Sequence, residues 1–132
     1  MRWPGKIAEG TVNDSVASSL DIAPTLCQLT GSRPELSFDG QSLAPQIERI
    51  RKTSDYKPRD LYWELGKHNE LGRGKWTAVR SGPWKYVEDA KGNEFLFDME
   101  NDKLEKHNLV AERKGIAENL RIRARQLSES YR

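Results

Sequence analysis

Between Leu61 and Asp98 the chain alternates apolar with polar residues, and that stretch restricts its fold more than any other. Four short runs, LYWEL (61–65), WTAVR (76–80), WKYVE (84–88) and EFLFD (94–98), are rich in aromatic and β-branched residues. Runs of that length and composition fit half-buried strands. Ser81-Gly82-Pro83 and Lys91-Gly92-Asn93 separate the last three by tight loops, which predicts an antiparallel meander. From about Ala111 a helical period takes over: Ile116, Leu120, Ala124, Leu127 and Tyr131 form one apolar stripe, with Lys114, Arg121, Arg125 and Arg132 on another face. A single stripe needs a single sheet face to lie on. Residues 60–132 are therefore expected to form an α+β unit, a four-stranded antiparallel sheet packed by a long C-terminal helix.

Residues 1–50 read differently. Arg2-Trp3 looks like the end of a strand running into the Pro4-Gly5 turn. In DIAPTLCQLTG, Asp21 is placed as the helix N-cap, Pro24 in the first turn and Gly31 as the stop. Ile22, Leu26 and Leu29 form its apolar stripe. Ser32 to Gly40 is a loop, and Asp39-Gly40 turns the chain into a second short helix around Leu43 to Ile50. RKTSDYKPR (51–59) reads as a polar linker. The apolar stripes of 1–50 call for a core that these residues do not supply.

Composition narrows the partners. Net charge is +2 over 132 residues, but residues 103–132 hold eight basic against four acidic side chains. No aromatic residue interleaves with Arg121, Arg123, Arg125 and Arg132, so the helix is not expected to bind nucleic acid. No stretch approaches the roughly 20 apolar residues of a membrane span, and no membrane association is expected. The N-terminus also lacks the layout of a signal peptide.

Reactive residues are sparse. Cys27 lies mid-helix with no nearby His, which fits a structural thiol better than a nucleophile. His107, in EKHNL, reads as an exposed loop residue. Lys67 and His68 lie in the loop GKHNELGRGK (66–75), the segment where loop chemistry would place a ligand contact. DMENDKLEKHNL (98–109) has the acidic spacing of a calcium loop. It carries Lys103 where glycine is needed and Leu109 where glutamate is needed, so that reading fails. No catalytic and no metal-ligating residue is assigned.

Taken together, RWPGKI, GTV, SSLDIAPTLCQLTG, DGQSLAP, LYWE, AVRSGPWKYV and EFLFDMENDKLEKHNL resemble, in order, the C-terminal part of arylsulfatase-type sulfatases of the alkaline phosphatase superfamily. The resemblance covers residues 2 to about 110. It implies that residues 1–50 are helical remnants of the large sulfatase α/β domain, 51–59 a linker and 60–132 the C-terminal subdomain.

It also implies a mechanism for the complete parent: hydrolysis of sulfate esters by a formylglycine nucleophile, with calcium neutralising the sulfate oxygens. Formylglycine arises from Cys or Ser in Cys/Ser-x-Pro-x-Arg. Cys27-Gln28-Leu29-Thr30-Gly31 lacks both Pro and Arg, and Ser32-Arg33-Pro34-Glu35-Leu36 has Leu36 where Arg is required. By resemblance the nucleophile and calcium ligands lie upstream of RWPGKI, which is expected to be an internal stretch of a longer chain. The chain alone should then be inactive. The implied partners are the missing N-terminal catalytic domain and, in the parent, a sulfated glycan or aryl sulfate, with Lys67 and His68 near the substrate cleft. An exported parent is implied, periplasmic, extracellular or lysosomal. The alternative function is a non-catalytic interaction or glycan-binding module that uses the basic helix.

Overall fold

The computed structural model describes residues 2–33, 35, 37–47, 59–66 and 74–130. The chain divides into two units, Met1–Pro58 and Arg59–Arg132.

The second unit is a four-stranded antiparallel sheet of β1 (Leu61–Leu65), β2 (Trp76–Ser81), β3 (Trp84–Glu88) and β4 (Glu94–Asp98), in the order β1-β2-β3-β4. Helix α3 (Lys114–Ser130) lies against one face. The α+β architecture is the one expected from the periodicity. β2 and β3 join through a two-residue turn closed by the Ser81–Trp84 pair, and Gly82 supplies the positive φ (54°) that such a turn needs at its first position. The outer edge of β4 is occupied: Leu109 N–H donates to the Leu96 carbonyl at 2.8 Å, and Asn108 Oδ1 accepts from Leu96 N–H at 3.0 Å. That removes one open strand edge, a common aggregation liability.

Because side chains alternate along a strand, the register sorts them into rows. Tyr62, Val79, Tyr86 and Leu96 stand side by side across all four strands on the face beneath α3. Val79, Tyr86 and Leu96 are fully buried there against Ala117, Leu120 and Ala124. Two alanines in the contact let the helix come close, and burying a side chain the size of Leu96 is worth about 1.5–3 kcal/mol. The buried line of the helix is Ala117, Leu120, Ala124 and Ser128, while Ile116 and Leu127 flank it half-buried. The stripe read from sequence is thus rotated by part of a turn, and Tyr131 lies outside the described residues.

The first unit holds a 3-10 turn (Ser19–Asp21), α1 (Ile22–Thr30) and α2 (Ala44–Ile47). Asp21 does not cap α1 with its side chain. Instead Ser18 caps the preceding turn, and the Asp21 carboxylate reaches back to Ser18 N–H at 2.8 Å, completing a capping box. The other carboxylate oxygen accepts from Gln41 N–H at 2.8 Å. Thr25 Oγ1 donates to the Asp21 carbonyl at 2.5 Å and accepts from Leu43 N–H at 2.8 Å. Gly40 makes this possible, since a Cβ there would lie 2.0 Å from the Leu20 carbonyl oxygen. As a result α1 buries Pro24 and Thr25, while Ile22 and Leu26 remain 55% and 50% exposed. Cys27 is half-buried rather than enclosed. The end of the second helix read to Ile50 falls outside the described residues.

Candidate functional site

Next to the apolar row beneath α3 runs a polar one. Glu64, Thr77, Glu88 and Glu94 are paired across the four strands, so three carboxylates share one line of the sheet. Like charges set side by side repel unless each finds a partner; Glu64 and Glu94 each meet a cation, and Glu88 has the Tyr86 hydroxyl at 3.4 Å.

Glu94 is held by Arg121, whose Nε lies 2.5 Å from Oε1 and Nη2 2.8 Å from Oε2. The same guanidinium also bonds Glu118, and the Tyr86 hydroxyl donates to Glu94. Arg121 first, then Tyr86, hold the Glu94 carboxyl below the usual carboxylate range. Burial first, then the hydrogen bond to Glu94 and its charge, push the Tyr86 phenol far above its ordinary value. At the other end of the row, Lys75 Nζ lies 2.8 Å from Glu64 Oε2 and donates to Ser128 Oγ at 2.6 Å. Ser128 in turn donates to Glu64 Oε2 at 3.1 Å, and Tyr62 also donates to it. Lys75 first, then Tyr62, lower the Glu64 carboxyl from its ordinary value.

Beside these clusters, Lys75, Thr77, Glu88, Arg125, Ser128 and Glu129 line an open cleft of about 260 Å³ between sheet and helix. Glu64 and Glu94, whose carboxyl values are lowered by Lys75 and Arg121, stand beside it engaged with those cations. These groups clamp α3 to the sheet.

The basic helix is similarly committed. Arg121 is bound to Glu94 and Glu118, and Arg123 to Asp60. Two of the four arginines weighed for nucleic-acid binding, Arg121 and Arg123, are therefore occupied within the unit. Asp98 and Asp102 are also used locally. Asp98 Oδ1 accepts from the Glu100 and Asn101 N–H groups, and Asp102 accepts from His107 N–H at 2.8 Å. These are turn-closing bonds. His107 is exposed, its Nδ1 3.6 Å from Asp102 Oδ2.

Lys67 and His68 lie outside the described residues. The roots of their loop are described and anchored: Glu64, near the end of β1, meets Lys75, just before β2. Gly74, at φ 92°, packs against Ala90, where a Cβ would come within 2.9 Å. Sequence reasoning missed the Glu64–Lys75–Ser128 and Glu94–Tyr86–Arg121 clusters. Their signal was present in the strand alternation, which puts Glu64, Glu88 and Glu94 on the helix side, but it needed the register to be read. Among the described residues no group of three or more His, Cys, Asp or Glu converges as metal ligands would. Cys27 lies outside a Cys-x-Pro-x-Arg sequence, so it does not fit a formylglycine precursor.

Sheet and helix are thus tied together by ion pairs and hydrogen bonds between their own side chains. Residues 1–130 match the family described as N-sulphoglucosamine sulphohydrolase, C-terminal, and the chain belongs to that family. The choline-sulfatase of Rhizobium meliloti (strain 1021) is 36% identical over 105 residues, which cover 74% of this chain and 18% of that protein. Arylsulfatase A of Bos taurus is 38% identical over 84 residues, covering 63% of this chain and 15% of that protein. The chain thus spans less than a fifth of the length of these relatives. The solved structure of BT4656 in complex with its substrate D-glucosamine-2-N,6-O-disulfate has the same fold, with a TM-score of 0.76 at 22% identity. That match covers 98% of this chain and 27% of that one.

Proposed function

We propose that this chain is the C-terminal part of a sulfatase, and that the complete protein hydrolyses sulfate esters. The observation that carries this reading is the family match over residues 1–130, joined to 36% identity with a choline-sulfatase. The geometry agrees with it in two ways. The second unit commits its charged groups to holding itself together, and α1 turns Ile22 and Leu26 outward, as a helix does when its apolar face belongs to a larger core. Formylglycine and calcium are assigned to chain beyond these residues, supported by the family likeness and by the lack of a Cys/Ser-x-Pro-x-Arg sequence here. The partner of this part is then the N-terminal catalytic domain, and the substrate of the whole is a sulfated glycan or an aryl sulfate.

Lys67 and His68 are assigned to the substrate side, supported by the anchoring of their loop at Glu64, Lys75 and Gly74. The reading of α3 as a glycan-binding surface is disfavoured, since Arg121 and Arg123 are already paired. A chimera tests the proposal: the Rhizobium meliloti choline-sulfatase with its matching segment replaced by this chain. Hydrolysis of choline sulfate is expected, and Lys67→Ala with His68→Ala should raise KM while leaving Tm unchanged. A folded chimera with no turnover counts against the reading.

A further inference from the structure

The charged groups of the second unit hold it together, with an exception in the middle of the polar row. α3 crosses that row obliquely: Arg121 bonds Glu94 of β4, and Ser128 bonds Glu64 of β1. Between these two ends stand Thr77 of β2 and Glu88 of β3, paired with one another across the strands. Glu88 is half-buried and lies opposite a like charge, Glu94. Among the described residues its carboxylate has one partner, the Tyr86 hydroxyl at 3.4 Å, which also donates to Glu94. From the helix, Arg125 and Glu129 line the same gap, and neither forms an ion pair among the described residues. This gap is the open cleft of about 260 Å³, with Lys75 and Ser128 also in its wall.

We propose that this cleft binds a small zwitterion, a free amino acid, with its ammonium on Glu88 and its carboxylate on Arg125. The site stands apart from the sulfatase reading. A half-buried carboxylate with no cation of its own attracts an ammonium more strongly than one in open water, because the local dielectric is lower. Arg125 offers a planar fork of donors that matches a carboxylate. The Thr77 hydroxyl, on the floor between them, has no side-chain partner among the described residues and is free to bond either group. Lys75 does not compete for the ligand carboxylate, since Glu64 and Ser128 already hold it. A simple anion would meet Glu88 and Glu129, and a simple cation would meet Lys75 and Arg125. A molecule with both charges escapes each repulsion. The volume lies below the roughly 300–1,000 Å³ of sites for drug-sized ligands, which suits a molecule of amino-acid size. So small a ligand in an open cleft makes few contacts, and its affinity is expected in the millimolar range.

Titration of the 132-residue chain with glycine and with γ-aminobutyrate, followed by the amide resonances of Thr77, Glu88 and Arg125, tests this. Saturable shifts centred on the cleft are expected with at least one of the two, which differ in the separation of their charges. Acetate and ethylamine, each carrying one charge, should move the same resonances several-fold less. Glu88→Gln and Arg125→Gln should each weaken binding several-fold. Arg125 is exposed, so its variant leaves the packing of α3 intact and keeps the test open should Glu88→Gln disturb the fold. The absence of saturable shifts with both zwitterions, or binding that survives both substitutions, would overturn the proposal. Acetate binding as tightly, with loss in Arg125→Gln alone, would make the cleft an anion site and overturn it equally. Ethylamine binding as tightly, with loss in Glu88→Gln alone, would make it a cation site with the same consequence. Failure of the choline-sulfatase chimera leaves this result untouched, because binding is read on the chain itself.

Discussion

Arg121 grips both carboxylate oxygens of Glu94, reaching from the middle of α3 to the first residue of β4. The pair is about one-quarter exposed on each side, 26% for both side chains, so water screens it only in part. It joins a charged row of the sheet to the helix that covers the neighbouring apolar row.

Glu94→Gln is expected to destabilise the second unit by about 1–2 kcal/mol, the range of a charge-assisted bond at a partly exposed site. The pH dependence has a definite sign. The Glu94 and Glu64 carboxyls are lowered by Arg121 and Lys75 respectively, so the folded state binds protons less readily than the unfolded one. Their contribution is complete above the unfolded carboxylate value and is lost as pH falls from about 5 through the lowered folded values. Urea midpoints measured across that window should fall for the wild type and fall less for Glu94→Gln.

Tyr86 governs the alkaline limit. Its phenol is fully buried and its pKa is raised, so the unfolded state gives up this proton first as pH rises past about 10. Stability is therefore lost in alkali, and Tyr86 should ionise together with unfolding. Ultraviolet titration of Tyr86→Phe should lack that late step, and the loss of its bond to Glu94 should cost about 1 kcal/mol at neutral pH.

Core packing beneath α3 should respond to volume in both directions. Leu120→Ala is expected to cost about 2–4 kcal/mol through lost burial and a residual cavity. Ala124→Leu, at a fully packed position, should cost about 1–3 kcal/mol by forcing the helix off the sheet. Equilibrium unfolding followed by circular dichroism measures both; a stabilised Ala124→Leu would show that the contact is looser than described.

Gly40→Ala should release α1. The added Cβ would meet the Leu20 carbonyl, and relief of that contact withdraws Gln41 and Leu43 from Asp21 and Thr25. Amide exchange in α1 is expected to be faster than in β2–β4 even in the wild type, because Ile22 and Leu26 face outward. In Gly40→Ala it should approach unprotected rates.

The purified 132-residue chain should not turn over an aryl sulfate, and neither added calcium nor a chelator should shift its Tm. Cys27 lies outside a Cys-x-Pro-x-Arg sequence, and no ligand cluster is present among the described residues. Turnover that survives purification to homogeneity would refute the placement of the nucleophile elsewhere.

How much of this was legible beforehand depends on the range of the forces involved. The four strands and α3 follow from local period, and the β2–β3 turn from Gly82-Pro83, because a pleated strand and a helix each impose their spacing within a few residues. The expected α+β architecture rests on these. The two clusters around Glu64 and Glu94 were not read, since they depend on which residue of β1 or α3 stands opposite which, and register is a property of pairs of distant segments.

The sequence by itself determined which residues share a side of each strand, where the chain turns, and that no Cys/Ser-x-Pro-x-Arg occurs here. Tertiary structure alone decided which side α3 covers. Leu96 goes under the helix, while the stacked rings of Phe95 and Phe97 go to the opposite face. It also turned α1 around, burying Asp21 and Thr25 and leaving Ile22 and Leu26 outside. For α1 the reason is polar. A buried polar group must find its hydrogen-bond partners, and for Asp21 those partners include Gln41, twenty residues on, brought within reach by the missing side chain of Gly40.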